Sequence, residues 1–549
     1  VRFPRRVTHC LVMVLLVITL LFRYPLGVGH ELGSDTTFIH SLGNSLLSDG
    51  RAAWILNPTS YFGLYALSYP SAIPFLLASL SAIGDIPIEG AMLFLGIAFA
   101  VAGTLAAFLA ARLASEGDRL ALLAALLFSI APFYVKDTMW VGSSRGFVTA
   151  LVPAVFLLLL RHLKSRDIRY AALAVLLVLS MAAIHRMGSL AILILIAYFF
   201  ALPFHRLTQK LRFALVRYEG AFRIGSTGAS VSGFLVVLYL QFLFPGIAGA
   251  NIAQQYGTGV LLVGESFPII AVNMAISLTG KVGILLPLAL VGLLRHAWRR
   301  PKEGRDKFLL VAVFLMIPLL SLRDYIAEFL VYVFVLLVAL SVIPRGAVPR
   351  RKVIAVLTIL LLLGGALGFS WVMKDYWRNQ YYTDSPIPDE LYGASVYTDG
   401  EIMGTLLSNE GLSAGRVTAV SGSPTLPIGG ASIHWYGPQQ LTFGFVRSDR
   451  VFVEAIPITA ISFHTDAIYF PVNVPNAKDD YETIFYNSLG DLRVQRVLAR
   501  YDVHYVLLDN GHLSQFQSYI WRDSPFVVDV QRLSYKVYDS PSHSIWFLG

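Results

Sequence analysis

The chain has 549 residues, of which 56% are hydrophobic and 14% charged, whereas soluble globular proteins carry about 25% charged residues. These proportions exclude a soluble globular protein and imply a polytopic membrane protein. The net charge of +9 fits nucleic acid only if the basic residues gather on one soluble face; they are spread along the whole chain instead, so no nucleic-acid partner is expected.

A membrane helix needs roughly 20 mostly apolar residues. Eleven segments meet that test, at 8–28, 88–113, 118–136, 147–162, 169–185, 187–204, 227–246, 269–294, 308–322, 326–343 and 353–373. The first follows RFPRR, and no small-x-small pattern comes after it, which predicts a retained helix rather than a signal peptide. The only cysteine, Cys10, lies in or beside this run. No intramolecular disulfide can form, and any soluble domain must hold together by packing.

Residues 29–87 form a long first connector, and long connectors are usually functional or disordered. This one is rich in aromatic and apolar residues (AAWILNPTSYFGLYALSYPSAIPFLLA), which suits the membrane interface. Within it, 70–83 contains Pro70 and Pro74 and is too short to span; an interfacial or re-entrant helix is expected.

Lys and Arg residues accumulate in cytoplasmic loops. With the amino terminus inside, the inner segments contain 24 of them and the outer loops six: Arg23, Arg51, Lys136, Arg145, Arg186 and Arg323. A twelfth span at 70–83 would swap every later loop and collapse this asymmetry. The N-terminus is therefore expected in the cytoplasm.

Hydropathy falls after Trp371. The division expected is a membrane region, 1–373, and a soluble, extracytoplasmic mixed α/β domain, 374–549. In the latter, RVFVEAIPITAISF, AIYFPV and DVHYVLLD read as strands. The stretch DLRVQRVLARY has helical spacing at Leu492, Val497, Leu498 and Tyr501, and SGSPTLPIGGASIHWYGP reads as a loop.

Polar residues at the outer face carry the functional expectation. The stretch HELGSDTTFIH places Glu31 four residues before Asp35, which sets both carboxylates on one face if the segment is helical. Such a pair could hold a divalent cation, Mg or Mn, or supply a general base. Equally, Ser34 or Asp35 could be the N-cap of a helix starting at TTFIHSLGNSLL. Arg145, His185 with Arg186, and Arg323 with Asp324 fall at outer helix ends. Gathered around one cavity they would bind the phosphate of a lipid-linked substrate; taken singly, each could snorkel to the headgroups or pair with Asp137, Asp324 or Glu328. His30, His40 and His185 lack the spacing of a closed zinc site. No Gly-rich nucleotide loop or HExxH motif is present.

A helix entering from a basic end, followed by GSDTTFIHSLGNSLLSDGR and then ALSYPSAIPFLLASLSAIGD, resembles the first helix and first outer loop of the GT-C membrane glycosyltransferases. Among these are protein O-mannosyltransferases, aminoarabinose transferases and oligosaccharyltransferases. Asp35 matches the acidic motif of that loop, and Tyr69-Pro70 the step into the next apolar helix. The resemblance implies transfer of a hexosyl or pentosyl group from a polyprenyl- or dolichyl-phosphate-linked donor to an acceptor lipid, glycan or protein on the outer side of the cell membrane. In that scheme Asp35 deprotonates or orients the acceptor, Glu31, His185 and Tyr69 support the site, and Arg145, Arg186 and Arg323 hold the donor phosphate. The WWDYG signature of oligosaccharyltransferases is absent; HWYGP at 434–438 is a faint echo. The acidic motif has no second adjacent carboxylate, so metal dependence is open, and acceptor recognition falls to 374–549. Two other readings remain: a transporter or flippase of lipid-linked saccharides, which would place its ionisable groups near the bilayer midplane, and a membrane anchor presenting the soluble domain.

Overall fold

The computed structural model describes residues 3–25, 28–49, 72–115, 117–202, 278–298, 304–319, 325–342, 349–380, 386–409, 411–423, 425–426, 477–510 and 523–549. The expected span 227–246, the expected strands RVFVEAIPITAISF and AIYFPV, and HWYGP lie outside them. Two compact units emerge: one from residues 1–24, 97–139 and 145–375, the other from residues 25–96, 140–144 and 376–549.

The helices follow the apolar segments: α1 Arg5–Arg23, α2 Ser34–Asp49, α3 Ala72–Gly84, α4 Ile88–Ser115, α5 Asp118–Ser129, α6 Pro132–Thr138, α7 Arg145–Ser165 and α8 Ile168–Ile184. A 3-10 turn, Arg186–Ala191, opens α9, Met187–Leu202. Next come α10, Leu278–Ala297, then α11 Gly304–Leu319, α12 Ile326–Val342 and α13 Pro349–Gln380. Among the described residues α1, α4, α7 and α10 are each long and apolar enough to cross a membrane. At 13 residues, α3 is too short to span, as expected.

In the first unit α12 is buried on every side from Ile326 to Ala339. Its sequence, IAEFLVYVFVLLVALSV, is apolar all round, the pattern of a helix enclosed by others. The expected single span 118–136 is instead two helices, α5 and α6, bent by 59°. Pro132 begins α6; it has no N–H to donate and its ring clashes with the carbonyl four residues back, which ends α5. Arg23 fills the break. This fully buried side chain donates from Nη1 to the Ser129 carbonyl (2.5 Å) and from Nε to Thr138 Oγ1 (3.0 Å). It also lies 4.7 Å over the Tyr134 ring. Arg23 is thus a partner for carbonyls freed at a helix break, not the exposed loop residue that its sequence position suggests.

The second unit contains a five-stranded sheet in the order β2-β1-β3-β5-β4, with β1 Thr405–Ser408, β2 Thr425–Leu426, β3 Val503–Asp509, β4 Tyr535–Asp539 and β5 His543–Phe547. Pairs β1–β2 and β1–β3 are parallel, while β3–β5 and β4–β5 are antiparallel. The stretch expected as a loop therefore donates Thr425 and Leu426 to the sheet edge. Helices cover both faces. On one, α14 (Asp389–Glu401) and α15 (Gly411–Ser421) pack Leu391, Ala394 and Val417 against Leu406, Leu507 and Ile545. On the other, α16 (Ala477–Tyr486), α17 (Leu492–Arg500) and α18 (Pro525–Leu533) pack Phe485, Val497 and Phe526 against Leu407, Val506 and Leu508. Adjacent strand residues face opposite ways, so both faces of β1 and β3 are apolar and both need helices. The expected helix is α17, but Leu492 is 72% exposed and Val494 is buried instead. Asp491 caps this helix, accepting from the Arg493 N–H at 2.8 Å, and residues 494, 497, 498 and 501 make the inward stripe from there.

Candidate functional site

The second unit places the acidic stretch of the first connector. Before α2 the backbone is extended: the Leu32 N–H donates to the Trp140 carbonyl (3.0 Å), and the Glu31 carbonyl accepts from Ile387 N–H (3.3 Å). Leu32 bridges Val141 on one side and Pro386 on the other. Gly33, at φ 92°, turns the chain into the helix, a conformation open to glycine at little cost. The Thr36 hydroxyl bonds the Leu32 carbonyl and accepts from the Gly142 N–H at 2.8 Å. The start of α2 is thereby fixed at both its backbone and its first turn.

Asp35 is the second residue of α2, so the helix begins at Ser34, two residues before the Thr36 start of the cap reading. Glu31 precedes the helix, and the expected shared helical face of Glu31 and Asp35 does not form. The reason is local: Gly33 and the bridges at Leu32 hold residues 30–32 extended. The side chains of Asp35 and Arg186 are outside the described part of the molecule, and Tyr69 and Arg323 lie outside the described residues altogether.

Around Glu31 a buried network takes shape. The Glu31 side chain is 2% exposed and its Oε2 is 2.8 Å from Nδ1 of His40, 6% exposed. Glu89, in the first turn of α4, holds Oε1 3.1 Å from His30 Nδ1 and accepts the Glu31 N–H at 3.1 Å. His30 Nε2 lies 3.5 Å from Asp389 Oδ1, and its ring stacks on Tyr392 at 3.7 Å between centroids. Burial alone would lower the His40 pKa, but the Glu31 carboxylate, by charge and hydrogen bond, and then Glu89, hold it above its ordinary value. Burial and the charges of Glu89 and Glu31 push the Tyr392 hydroxyl up. Glu31 Oε1 is buried with no hydrogen-bond partner among the described residues. Two carboxylate–imidazole pairs, tied together by the Glu31 N–H on Glu89, can each share and exchange a proton. Glu89 escapes a sequence reading because an acid at a helix start looks like an ordinary helix-end charge.

No group of three His, Cys, Asp or Glu able to hold a metal ion occurs among the described residues. A hard dication takes six or more oxygens, and Glu31 Oε1 supplies one. The described residues do not build an Mg or Mn site.

In the first unit, four chain segments meet at the start of α12. Arg145 opens α7 with its guanidinium 6.0 Å over the Tyr325 ring. His185, at the end of α8, meets the same ring edge-on at 6.1 Å. Its Nδ1 accepts the Met187 N–H at 3.1 Å, which fixes the imidazole and opens the next 3-10 turn. Lys281, from α10, lies 3.6 Å from Glu328 in the first turn of α12. At Gly146, beside Arg145, an added Cβ would overlap the Asp137 carbonyl, so only glycine lets α6 and α7 approach this closely. The structure thus brings Arg145 and His185 together around Tyr325. Lys281 escapes a sequence reading because it sits inside an apolar run.

Residues 65–240 match the family model of a 6-pyruvoyl-tetrahydropterin synthase related domain, a membrane protein. No curated protein matches the chain in sequence. Solved structures match over nearly all of it. An Archaeoglobus fulgidus oligosaccharyltransferase tethered with an acceptor peptide is 12% identical, with a TM-score of 0.58 over 99% of this chain and 74% of that one. ArnT from Cupriavidus metallidurans bound to undecaprenyl phosphate is 11% identical, with a TM-score of 0.53 over 98% and 97%. The arabinofuranosyltransferase AftD from Mycobacteria is 17% identical, with a TM-score of 0.52 over 100% of this chain and 42% of that one. With apolar spanning helices joined to a sheet-containing unit, the chain has the fold of the GT-C membrane glycosyltransferases.

Proposed function

We propose that this protein is a membrane glycosyltransferase that moves a sugar, hexosyl or pentosyl, from a polyprenyl- or dolichyl-phosphate-linked donor to an acceptor lipid, glycan or protein. The observation that carries this reading is the buried Glu31–His40–Glu89–His30 network at the start of α2, on a fold shared with enzymes solved with dolichol-phosphate and undecaprenyl phosphate. Asp35, on the turn this network anchors, accepts the proton of the acceptor hydroxyl or amide as its oxygen or nitrogen bonds to the sugar C1. The C1–O bond to phosphate breaks, and the leaving phosphate keeps the electron pair. Arg145, Arg186 and Arg323 neutralise that developing charge, and His185 and Tyr69 support them. Residues 374–549 form the extracytoplasmic domain that recognises the acceptor, and the amino terminus is cytoplasmic. One A. fulgidus oligosaccharyltransferase structure is a complex with Zn and sulfate; any divalent cation here requires ligands beyond the described residues.

The test is sugar transfer from a panel of radiolabelled polyprenyl-phosphate sugars in membranes containing wild-type protein or Asp35→Asn at matched levels. Loss of a positioned general base costs about 10²–10⁴-fold in rate, so the variant is expected to fall by at least about 100-fold. Equal transfer by both proteins moves the catalytic role away from Asp35, and transfer by neither, over a broad panel, favours the transporter reading.

A further inference from the structure

Four consecutive residues of the first connector each meet the segment 386–392, which leads into α14. A Cβ added at Gly29 would come within 2.9 Å of Asp389 Oδ1, so the connector passes close against the start of that helix. His30 stacks its ring on Tyr392 at an interplanar angle of 16° and holds Nε2 3.5 Å from Asp389 Oδ1. The Glu31 carbonyl accepts from the Ile387 N–H, and Leu32 bridges Pro386. Further along, α2 is held by the same unit, since Asn44 Nδ2 donates to the Ala419 carbonyl of α15 at 2.5 Å.

Segment 386–392 is a firm support. Ile387 and Leu391 are buried in the core between the sheet and its helices, and Tyr392 packs against that core. The Tyr392 N–H donates to the Pro388 carbonyl at 2.9 Å, which places the residue in the first turn of α14. A side chain on a helix locked against a sheet is placed more precisely than one on a loop. Glu89, 3.1 Å from Nδ1, and Asp389 meet the His30 ring at its two nitrogens, whereas Tyr392 covers its face. Contacts at the nitrogens leave the ring free to tilt about them, and the stacked face removes that freedom.

We propose that Tyr392 is a positioning residue for sugar transfer: its stack on His30 holds residues 30–32 in the extended form from which Gly33 turns into α2, and so sets where Asp35 stands. The proposal rests on the transferase reading above and adds to it a part for the sheet-containing unit in the chemistry itself, exerted through the connector. Asp35 follows Leu32 by three residues, so a shift of the extended stretch is carried into the first turn of α2. A reacting group misplaced by about 1 Å costs about 100-fold in rate, while donor binding does not depend on where Asp35 stands. Loss of the stack therefore lowers kcat and leaves KM for the donor in place.

The experiment uses the full chain in nanodiscs of phosphatidylcholine and compares wild type, Tyr392→Ala and Tyr392→Phe. Transfer kinetics are measured with the polyprenyl-phosphate sugar of the panel on which wild type is active. Amide hydrogen exchange is followed, without any donor, over residues 29–33 and over β3 as an internal reference. In Tyr392→Ala, kcat is expected to fall by about tenfold or more with KM for the donor within about threefold of wild type. Exchange over 29–33 is expected to quicken by about tenfold or more while β3 stays as protected as in wild type. Tyr392→Phe keeps the ring and is expected to restore both readouts to within about threefold. An unchanged kcat in Tyr392→Ala overturns the proposal and leaves the transferase reading standing, as does a fallen kcat with unchanged exchange over 29–33. An equal loss in Tyr392→Phe assigns the effect to the hydroxyl, and faster exchange in β3 as well marks a residue that serves only the fold; either result overturns the positioning role. Absence of transfer by wild type over the whole panel overturns both readings at once.

Discussion

Burial disfavours a charged His40, yet the Glu31 carboxylate 2.8 Å away, with Glu89 behind it, more than reverses that effect. The folded state thus binds the His40 proton more tightly than the unfolded chain, where a histidine titrates near 6.5. For a pKa raised on folding, the added stability is fully present below the unfolded value and is lost as pH rises through the folded one. Wild-type protein is therefore expected to lose thermal stability relative to His40→Gln between about pH 6 and the higher folded value, with no further change beyond it. Unfolding followed in detergent across that range checks this; a difference between the two proteins that does not vary with pH removes the Glu31–His40 coupling. Only part of this site was legible in the sequence. Asp35, Glu31, His30 and His40 stand together in HELGSDTTFIH, but Glu89 and Tyr392 join them through folding alone.

The broken pair α5–α6 shows why hydropathy overruns element boundaries. A window averaged over 118–136 reads one apolar span, although Pro132 stands in it, because an average over many residues is blind to a single missing N–H. The break then needs a donor from elsewhere, and Arg23 supplies it to the Ser129 carbonyl from another helix. Arg23→Leu is expected to destabilise the protein by about 2–4 kcal/mol, the cost of leaving buried carbonyls unpaired. Arg23→Lys is expected to recover only part of this, since an ammonium cannot reproduce the planar fork that meets Ser129 and Thr138 together. Chemical unfolding of the two variants measures both effects, and wild-type stability in Arg23→Leu refutes the role. At α17 the reverse holds. Its identity as a helix follows from spacing, while the exposed Leu492 and the buried Val494 were set by where the Asp491 cap starts the helix against the sheet.

At the scale of the molecule, the charge asymmetry of the loops leads us to propose a cytoplasmic amino terminus and residues 374–549 on the other side. The native cysteine, Cys10, can be replaced by serine to give a background for labelling. On that background, a cysteine at Arg493, exposed beside α17's cap, is expected to react with a membrane-impermeant maleimide in intact cells. One at exposed Arg166, between α7 and α8, is expected to react only after permeabilisation. The opposite pattern inverts the topology and with it the side on which transfer occurs.

The sequence by itself determined that the chain lives in a membrane, roughly where many of its apolar helices lie, and that acids and histidines follow the first of them. Those properties are local, because chain hydropathy and turn-forming residues act over a few helical turns. Tertiary structure alone decided that residues of the first connector, of 140–144 and of 376–549 share one compact unit. It also decided that Lys281 meets Glu328 and that Arg23 closes a helix break. Each of these joins residues far apart in the chain, and such partners are selected by the burial of charge and by unpaired backbone groups that only a folded interior creates.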